Sequence, residues 1–246
     1  MPFTFAHPAI LIPIGYKRRL SATALIIGSM VPDFEFFLKM RTGENIGHHW
    51  YGILLFDVPL SIICCYVFHL ILRDMLIDQS PQWLYERFNK MKEFDWHTYA
   101  KKNPATVLLS IMLGIISHLF LDAFTHEDGL FVEKIAFLQR EVMFQDFKTA
   151  MYMLLQIFGS VVGLYLIFIF IKNLPVSKLP RPAKDQYFLR AFGVLATAML
   201  LLRIALLPQF LSFWDIFMAS MGSGIYSLLF ISLYTRLGKI INWRVE

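Results

Sequence analysis

The chain has 246 residues, of which 57% are hydrophobic, 16% aromatic and only 17% charged, with a formal net charge of +5. A soluble domain is typically about 45–50% apolar with about a quarter of its residues charged, so this composition argues against one or two soluble domains and for a single integral membrane domain over 1–246. No P-loop, dinucleotide fingerprint, internal repeat or low-complexity segment is present, and no nucleic-acid partner is expected.

The first apolar stretch, 20–38, follows Lys17, Arg18 and Arg19 and is interrupted by Asp33 and Glu35. As one helix it would be about 28 Å long, just enough to cross a bilayer core of about 30 Å. It lacks a small-residue cleavage site, so it is expected to be retained rather than removed as a signal peptide. His48 and His49 precede the second stretch, 51–72, which carries Asp57 ahead of Pro59 and the adjacent Cys64 and Cys65. Those cysteines read as helix packing rather than a disulfide or a metal pair. Ser80, Pro81 and the helical spacing of Trp83, Leu84, Phe88 and Met91 predict a short surface helix over 80–94, with Ser80 as its cap. Further spans are predicted at 104–121, 149–171, 187–207 and 216–234. Between two of them, 172–186 holds Pro175, Pro180 and Pro182 with four basic residues, which predicts an extended linker at the lipid headgroups. The expected class is all-α, a polytopic helical membrane protein with five to six transmembrane helices.

Basic residues orient these spans. If 20–38 crosses, one side of the membrane receives 16 of the 23 Lys and Arg residues and the other only 5. The positive-inside rule then places both termini in the cytoplasm and the end of 104–121 outside.

That end carries the densest chemistry: Ser117-His118-Leu119-Phe120-Leu121-Asp122-Ala123-Phe124-Thr125-His126. His118 and Asp122 share a helix face, with His126 one turn on. Ionisable groups in a membrane segment are costly and mark functional sites by default, and imidazole with carboxylate suits a divalent metal such as zinc or manganese. At 1.5 Å per residue, Asp33 and His118 lie about 20 Å along outward-running helices, while Asp57 and Gln156 lie about 10 Å below the outer face on inward-running ones. Four polar residues from four segments thus converge in the outer third of the bilayer, with His48, Asp122 and His126 just above them. Duller alternatives stand beside this reading. His118 and Asp122 could merely lock helices together, and Asp33 and Glu35 could mark a helix end facing water. Asp57 could satisfy a kinked backbone, Gln156 could be an interhelical hydrogen bond, and Arg203 could snorkel to the interface or hold an anionic headgroup.

Several motifs together carry a family resemblance. Met1-Pro2-Phe3-Thr4 with His7, Gly28-Ser29-Met30-Val31-Pro32-Asp33-Phe34-Glu35, His48 with Gly52, Phe56-Asp57-Val58-Pro59-Leu60 and Asp122-Ala123-Phe124-Thr125-His126 resemble domain of unknown function family 4184. The likeness also takes in Asp95-Trp96, Gly129 with Phe131-Val132, and Gln156, and it covers nearly the whole chain. It implies a polytopic protein of the bacterial cytoplasmic membrane. More distantly, the Pro-Asp, His and Ser-His-x3-Asp elements resemble inner-membrane metal-dependent hydrolases of the YdjM type and zinc-dependent phospholipases C. The resemblance implies Asp33, His48, His118 and Asp122 as metal ligands, with His7 and His126 as further candidates. His48 is followed by His49 where the pattern has Thr or Ser, which leaves open which of the two is used. His7 would reach the site only if the stretch 8–16 dips into or crosses the bilayer.

The leading functional expectation is a metal-dependent hydrolase acting on a phosphoester or related bond of a membrane lipid or lipid-linked envelope precursor. Glu35 or Asp57 would take the proton, and Arg203, Gln156 and His49 would face the substrate. The rivals are an ion-binding transporter and a structural membrane protein stapled by metal.

Overall fold

The computed structural model describes residues 3–15, 19–144, 147–183 and 186–243, so Met1, Pro2, Lys17 and Arg18 lie outside the described residues. Five helices are long and apolar enough to cross a membrane: Trp50–Gln79 (α4), Pro104–Asp122 (α7), Met151–Lys172 (α10), Gln186–Leu206 (α11) and Phe213–Leu237, the greater part of α12, which continues to Trp243. In such helices every backbone N–H and C=O is satisfied within the segment, which hydrocarbon demands. Ile157, Phe158, Val161 and Tyr165 on α10 and Leu201 and Leu202 on α11 are exposed, the pattern of helices whose partner is lipid. The chain is a multi-pass helical membrane protein.

The remaining elements are short. A 3-10 segment, Thr4–Leu11, runs into a helical turn, Ile12–Gly15; together they are α1. Ala22–Gly28 is α2, Phe34–Lys39 is α3, Gln82–Phe88 is α5 and Trp96–Lys102 is α6. Leu130–Lys134 (α8) and Ala136–Gln139 (α9) precede an antiparallel hairpin of Glu141–Phe144 (β1) with Phe147–Ala150 (β2). Sequence patterning gave no sign of that hairpin.

Two compact units share these elements. The first comprises residues 1–33, 47–62 and 99–174. In it α2 lies against α7, and the contact is backbone to backbone. A side chain on Gly114 would meet the Leu25 carbonyl oxygen at 2.5 Å, and one on Gly28 would meet the Ile111 carbonyl oxygen at 2.5 Å. Leu25, Val31, Ile111 and Ile115 fill the layer between. The segment Thr4–Leu11 packs against both α7 and α10, where the Phe3 N–H donates to Ser160 Oγ at 2.8 Å.

Here the expectation of a single span over 20–38 fails. The chain forms α2, a 3-10 turn at Val31–Asp33 and then α3, with no continuous helix across them. Pro32 lacks the N–H a continuing helix needs and disfavours helical conformation at Val31. The path of the chain explains what replaces the span. Thr4 Oγ1 donates to Asp33 Oδ2 at 2.6 Å near the C-terminal end of α7, while the Ser21 N–H donates to Ser110 Oγ at 2.9 Å. Ser110 precedes His118 by eight residues, about 12 Å along the helix. Thr4–Leu11, α2 and the Val31–Asp33 turn all lie against α7, with residues 3–7 at the same end of it as Asp122. That geometry conflicts with a cytoplasmic amino terminus opposite an external Asp122, the arrangement expected from the basic residues.

The second unit comprises residues 34–46, 63–98 and 175–246. There α11 and α12 pack along each other across the link 207–212, and α3 packs on α12 with Phe37 buried. Asp215 accepts from the Thr42 N–H (2.9 Å) and hydroxyl (2.7 Å) and from the Ser212 hydroxyl (2.6 Å), fixing the start of α12. The residues before α5 also differ from expectation: Ser80 donates to the Ile77 carbonyl, and the cap position falls to Pro81. Residues 175–183 of the proline-rich stretch form neither helix nor strand and are tied to the α5 region. The Ser177 N–H donates to the Glu86 carbonyl, Tyr85 Oη to that of Pro180, and Asn89 Nδ2 to that of Ser177.

Candidate metal centre

Four of the chain's seven histidines gather in the first unit around Asp33 and Asp122. One potential ligand atom each from Asp33, His48, His118 and Asp122 lies within 4.8 Å of all the others, a set that could hold a metal ion. Each arrives from a different piece of chain or turn of helix. Asp33 ends the Val31–Asp33 turn, His48 precedes α4, and His118 and Asp122 sit one turn apart on α7.

The hydrogen bonds around this set orient its lone pairs inward. His118 Nδ1 lies 2.9 Å from the Ser29 carbonyl oxygen, which can only accept, so Nδ1 carries a proton and Nε2 is the nitrogen turned to the cluster, a lone pair in the neutral ring and a donor in the protonated one. That Nε2 faces Asp122 Oδ2 at 3.2 Å and Asp33 Oδ1 at 3.7 Å. Lone pairs facing one another in a buried site are repulsive unless a proton or a cation lies between them. His118 Nε2, Asp33 Oδ1 and Asp122 Oδ1 are buried without a hydrogen-bond partner, a condition rare in folded proteins. Thr4 holds the other Asp33 oxygen at 2.6 Å, as an outer-shell hydroxyl does for a ligating carboxylate. Hard oxygen and borderline nitrogen donors of this kind fit zinc or manganese. The residues present therefore fit a divalent ion.

His7 and His126 flank the set. The His7 ring is fully buried, stacks on His118 at 3.9 Å between centroids, and places Nε2 3.7 Å from Asp122 Oδ1. The packing of Thr4–Leu11 against α7 and α10 brings it there. His126 Nδ1 lies 3.1 Å from the Asp122 carbonyl and 3.6 Å from Asp122 Oδ1. Burial holds the His126 imidazole below its ordinary pKa, which keeps it neutral and able to ligate or accept a proton near neutral pH.

The structure separates His48 from His49. His48 Nε2 lies 3.1 Å from Asp122 Oδ2, whereas His49 is exposed and stacks on Tyr51. Gly47 permits this: a side chain there would meet Asp57 Oδ1 at 2.8 Å and the Pro32 carbonyl at 2.9 Å. The same contact places the fully buried Asp57 beside the residue preceding His48. Asp57 sits in a π-helical turn, Ile53–Asp57, a local widening common at functional sites. Gln156 is half-buried on α10, and its carbonyl accepts from Ser160 Oγ.

Two expected participants are committed elsewhere in the second unit. The Glu35 carboxylate accepts the Ile46 N–H at 2.6 Å and pairs with Lys39. Arg203 donates from Nε to the Met40 carbonyl and from Nη1 to that of Phe210. It thereby fixes a turn in which Met40 takes a left-handed φ of 54°, uncommon for a residue with a side chain. These bonds engage the Glu35 carboxylate and two nitrogens of the Arg203 guanidinium, whose Nη2 is buried without a hydrogen-bond partner.

A family model described as a domain of unknown function, DUF4184, matches residues 1–233. The chain belongs to this family. No curated protein and no solved structure matches it. Membership of DUF4184 carries no activity with it, so function has to be argued from the centre itself.

Two substitutions test the centre as built. In this DUF4184 chain Thr4→Val should weaken metal binding by about 10–100-fold, the usual cost of an outer-shell partner. His49→Ala should leave metal content unchanged. Metal analysis of the purified variants reads both; equal loss from Thr4→Val and His49→Ala would mean general unfolding instead.

Proposed function

We propose that the chain is a metal-dependent hydrolase of a lipid-linked phosphoester or related headgroup, built around Asp33, His48, His118 and Asp122. The observation that carries this reading is the uneven burial of the cluster. The side chains of His7, His118 and Asp33 are fully buried and that of Asp122 nearly so, while His48 and His126 are each 25% exposed. A metal staple is closed on all sides, whereas a catalytic site keeps an open position. We place the open position beside these two imidazoles, whose ring centroids are 6.3 Å apart.

A divalent ion supplies Lewis-acid polarisation and an acidified water when bound. The protein's own groups do the rest. Asp33, fixed by Thr4, and His118, fixed by the Ser29 carbonyl, form a rigid floor. Asp57 is the carboxylate we assign to take the proton of the water whose oxygen bonds to phosphorus, and to return it to the leaving-group oxygen as the bond from that oxygen to phosphorus breaks. His126, neutral and half-open, is placed to meet the substrate at the edge. Substrate would enter sideways from the bilayer, keeping its apolar tail in lipid.

Asp33→Asn and Asp122→Asn should each abolish the activity. Mass spectrometry of lipid extracts from cells with and without the protein should show one altered headgroup species, and the variants should match the strain lacking it. Identical wild-type and Asp122→Asn profiles, with proteoliposomes that move a divalent ion, would replace hydrolysis by transport.

The orientation belongs to the same proposal: the bacterial cytoplasmic membrane, with the centre near the outer face and the basic loops inside. Single cysteines in place of Asp128 and Lys178, in a background lacking Cys64 and Cys65, should differ toward an impermeant thiol reagent. Labelling at 178 but not 128 in intact cells reverses the orientation.

A further inference from the structure

The second unit contains two adjoining cavities, one of mixed lining and one almost wholly apolar. The first, of about 390 Å³, is lined by apolar side chains together with His69, Arg73, Asp74, Trp96, Ser232 and Arg236. The other, of about 340 Å³, is lined by Tyr66, Val67, Leu70, Leu233 and Leu237, with almost no polar surface apart from its rim. Leu70, Ile71 and Arg236 belong to both, so the cavities share a wall between α4 and α12. A second π-helical turn of α4, Phe68–Leu72, supplies His69, Leu70 and Ile71 to that wall. Such turns recur at functional sites because they re-aim successive side chains.

Most charges around the first cavity are already matched. Arg73 spends Nε on Asp74 (2.8 Å), Nη1 on the Phe94 carbonyl (2.7 Å) and Nη2 on the Lys92 carbonyl (2.9 Å). Asp95 holds the Thr98 hydroxyl at 2.6 Å at the start of α6. His69 stacks on the Trp96 indole. What remains is a set of donors. Trp96 is 2% exposed and its Nε1 has no partner; Ser232 is 2% exposed and its Oγ has none. Arg236 makes no hydrogen bond or ion pair among the described residues. A buried donor without a partner is destabilising, a cost that an anionic ligand would remove. Water alone could satisfy these donors, but it would not account for an apolar cleft opening from the same wall.

We propose that the two cavities form one binding site for an anionic amphiphile. Its phosphate or carboxylate head is held by Arg236, Trp96 Nε1 and Ser232, and its acyl chain lies along Tyr66, Val67, Leu70, Leu233 and Leu237. The site shares no residue with the metal centre and stands whether or not that centre hydrolyses anything.

Native mass spectrometry of the full chain in detergent tests this with four probes: dioleoyl phosphatidylglycerol, oleate, dioleoyl phosphatidylcholine and inorganic phosphate. One adduct of phosphatidylglycerol or oleate should survive, and phosphatidylcholine should give none; the tighter of the two identifies a phosphate or carboxylate head. Arg236→Gln should weaken that adduct about tenfold, as expected for one lost charge-assisted contact. Leu70→Trp, which fills the cleft, should remove it. Both variants should keep wild-type unfolding temperature and metal content. Equal adducts with phosphatidylcholine, or unchanged adducts in both variants, mean a non-specific lipid shell and overturn the proposal. Binding of inorganic phosphate as tightly as either lipid means a small-anion pocket and overturns it equally.

Discussion

His118→Ala and Asp122→Ala should each strip the purified protein of its metal, lowering affinity by more than about a hundredfold, because loss of an outer-shell partner alone costs about 10–100-fold. The wild type should carry one or two transition-metal ions, while His69→Ala and His97→Ala should keep wild-type content. Stability should follow the metal. An ion present at about a thousand times its dissociation constant stabilises the folded state by about 4 kcal/mol, so chelation should lower the unfolding temperature and added zinc or manganese should restore it. Asp122→Asn gives the sharper sign. With metal present it should be less stable than the wild type, having lost a ligand. Under chelation the gap should narrow, because the wild type then also lacks the ion. A wild type whose unfolding is indifferent to chelator, with metal retained in all four alanine variants, would remove the metal centre from these residues.

The other large effect is on the fold. Gly114→Ala should destabilise the protein by roughly 3 kcal/mol, at the upper end for overpacking, because its methyl group would meet backbone atoms: the Leu25 carbonyl oxygen at 2.5 Å and the Ser29 nitrogen at 2.7 Å. Neither can swing aside as a flexible side chain would. Metal should fall with stability, since α2 leads directly to the Ser29 carbonyl that orients His118 and to Asp33. Gly159→Ala is the control: nothing lies within 4 Å of a side chain there, so a helix that faces lipid should gain slightly, by up to about 1 kcal/mol. Thermal unfolding in detergent with parallel metal analysis reads both. Equal behaviour of the two glycine variants would mean that α2 and α7 are not in backbone contact.

Much of the class was legible along the chain. Long apolar runs must become helices in hydrocarbon, and the runs at 51–72, 104–121, 149–171, 187–207 and 216–234 each fall on a spanning helix, with ends shifted by several residues where helices continue past the apolar core. The ligand candidates were legible too. His118 and Asp122 announce themselves by helical spacing, and Asp33 and His48 by the motifs around them.

What tertiary structure alone decided was which partners the polar groups meet. Glu35 and Arg203 look functional in sequence because charge in an apolar segment demands an explanation. Their partners include Ile46, Lys39, Met40 and Phe210, which spacing along the chain does not reveal. Hydropathy likewise read 20–38 as a span, because it sums composition and is blind to direction. What replaces it depends on Thr4 meeting Asp33 and on Ser21 meeting Ser110, contacts 29 and 89 residues apart. The same packing carries His7 onto His118, and the tight passage at Gly47 turns His48 rather than His49 toward Asp122. The sequence by itself determined a helical membrane protein and named the candidate ligand side chains, because hydrophobicity and ligand chemistry are properties of residues. Which side chains meet was decided only in three dimensions, because hydrogen bonds and van der Waals contacts act over a few ångströms and join residues that the chain keeps far apart.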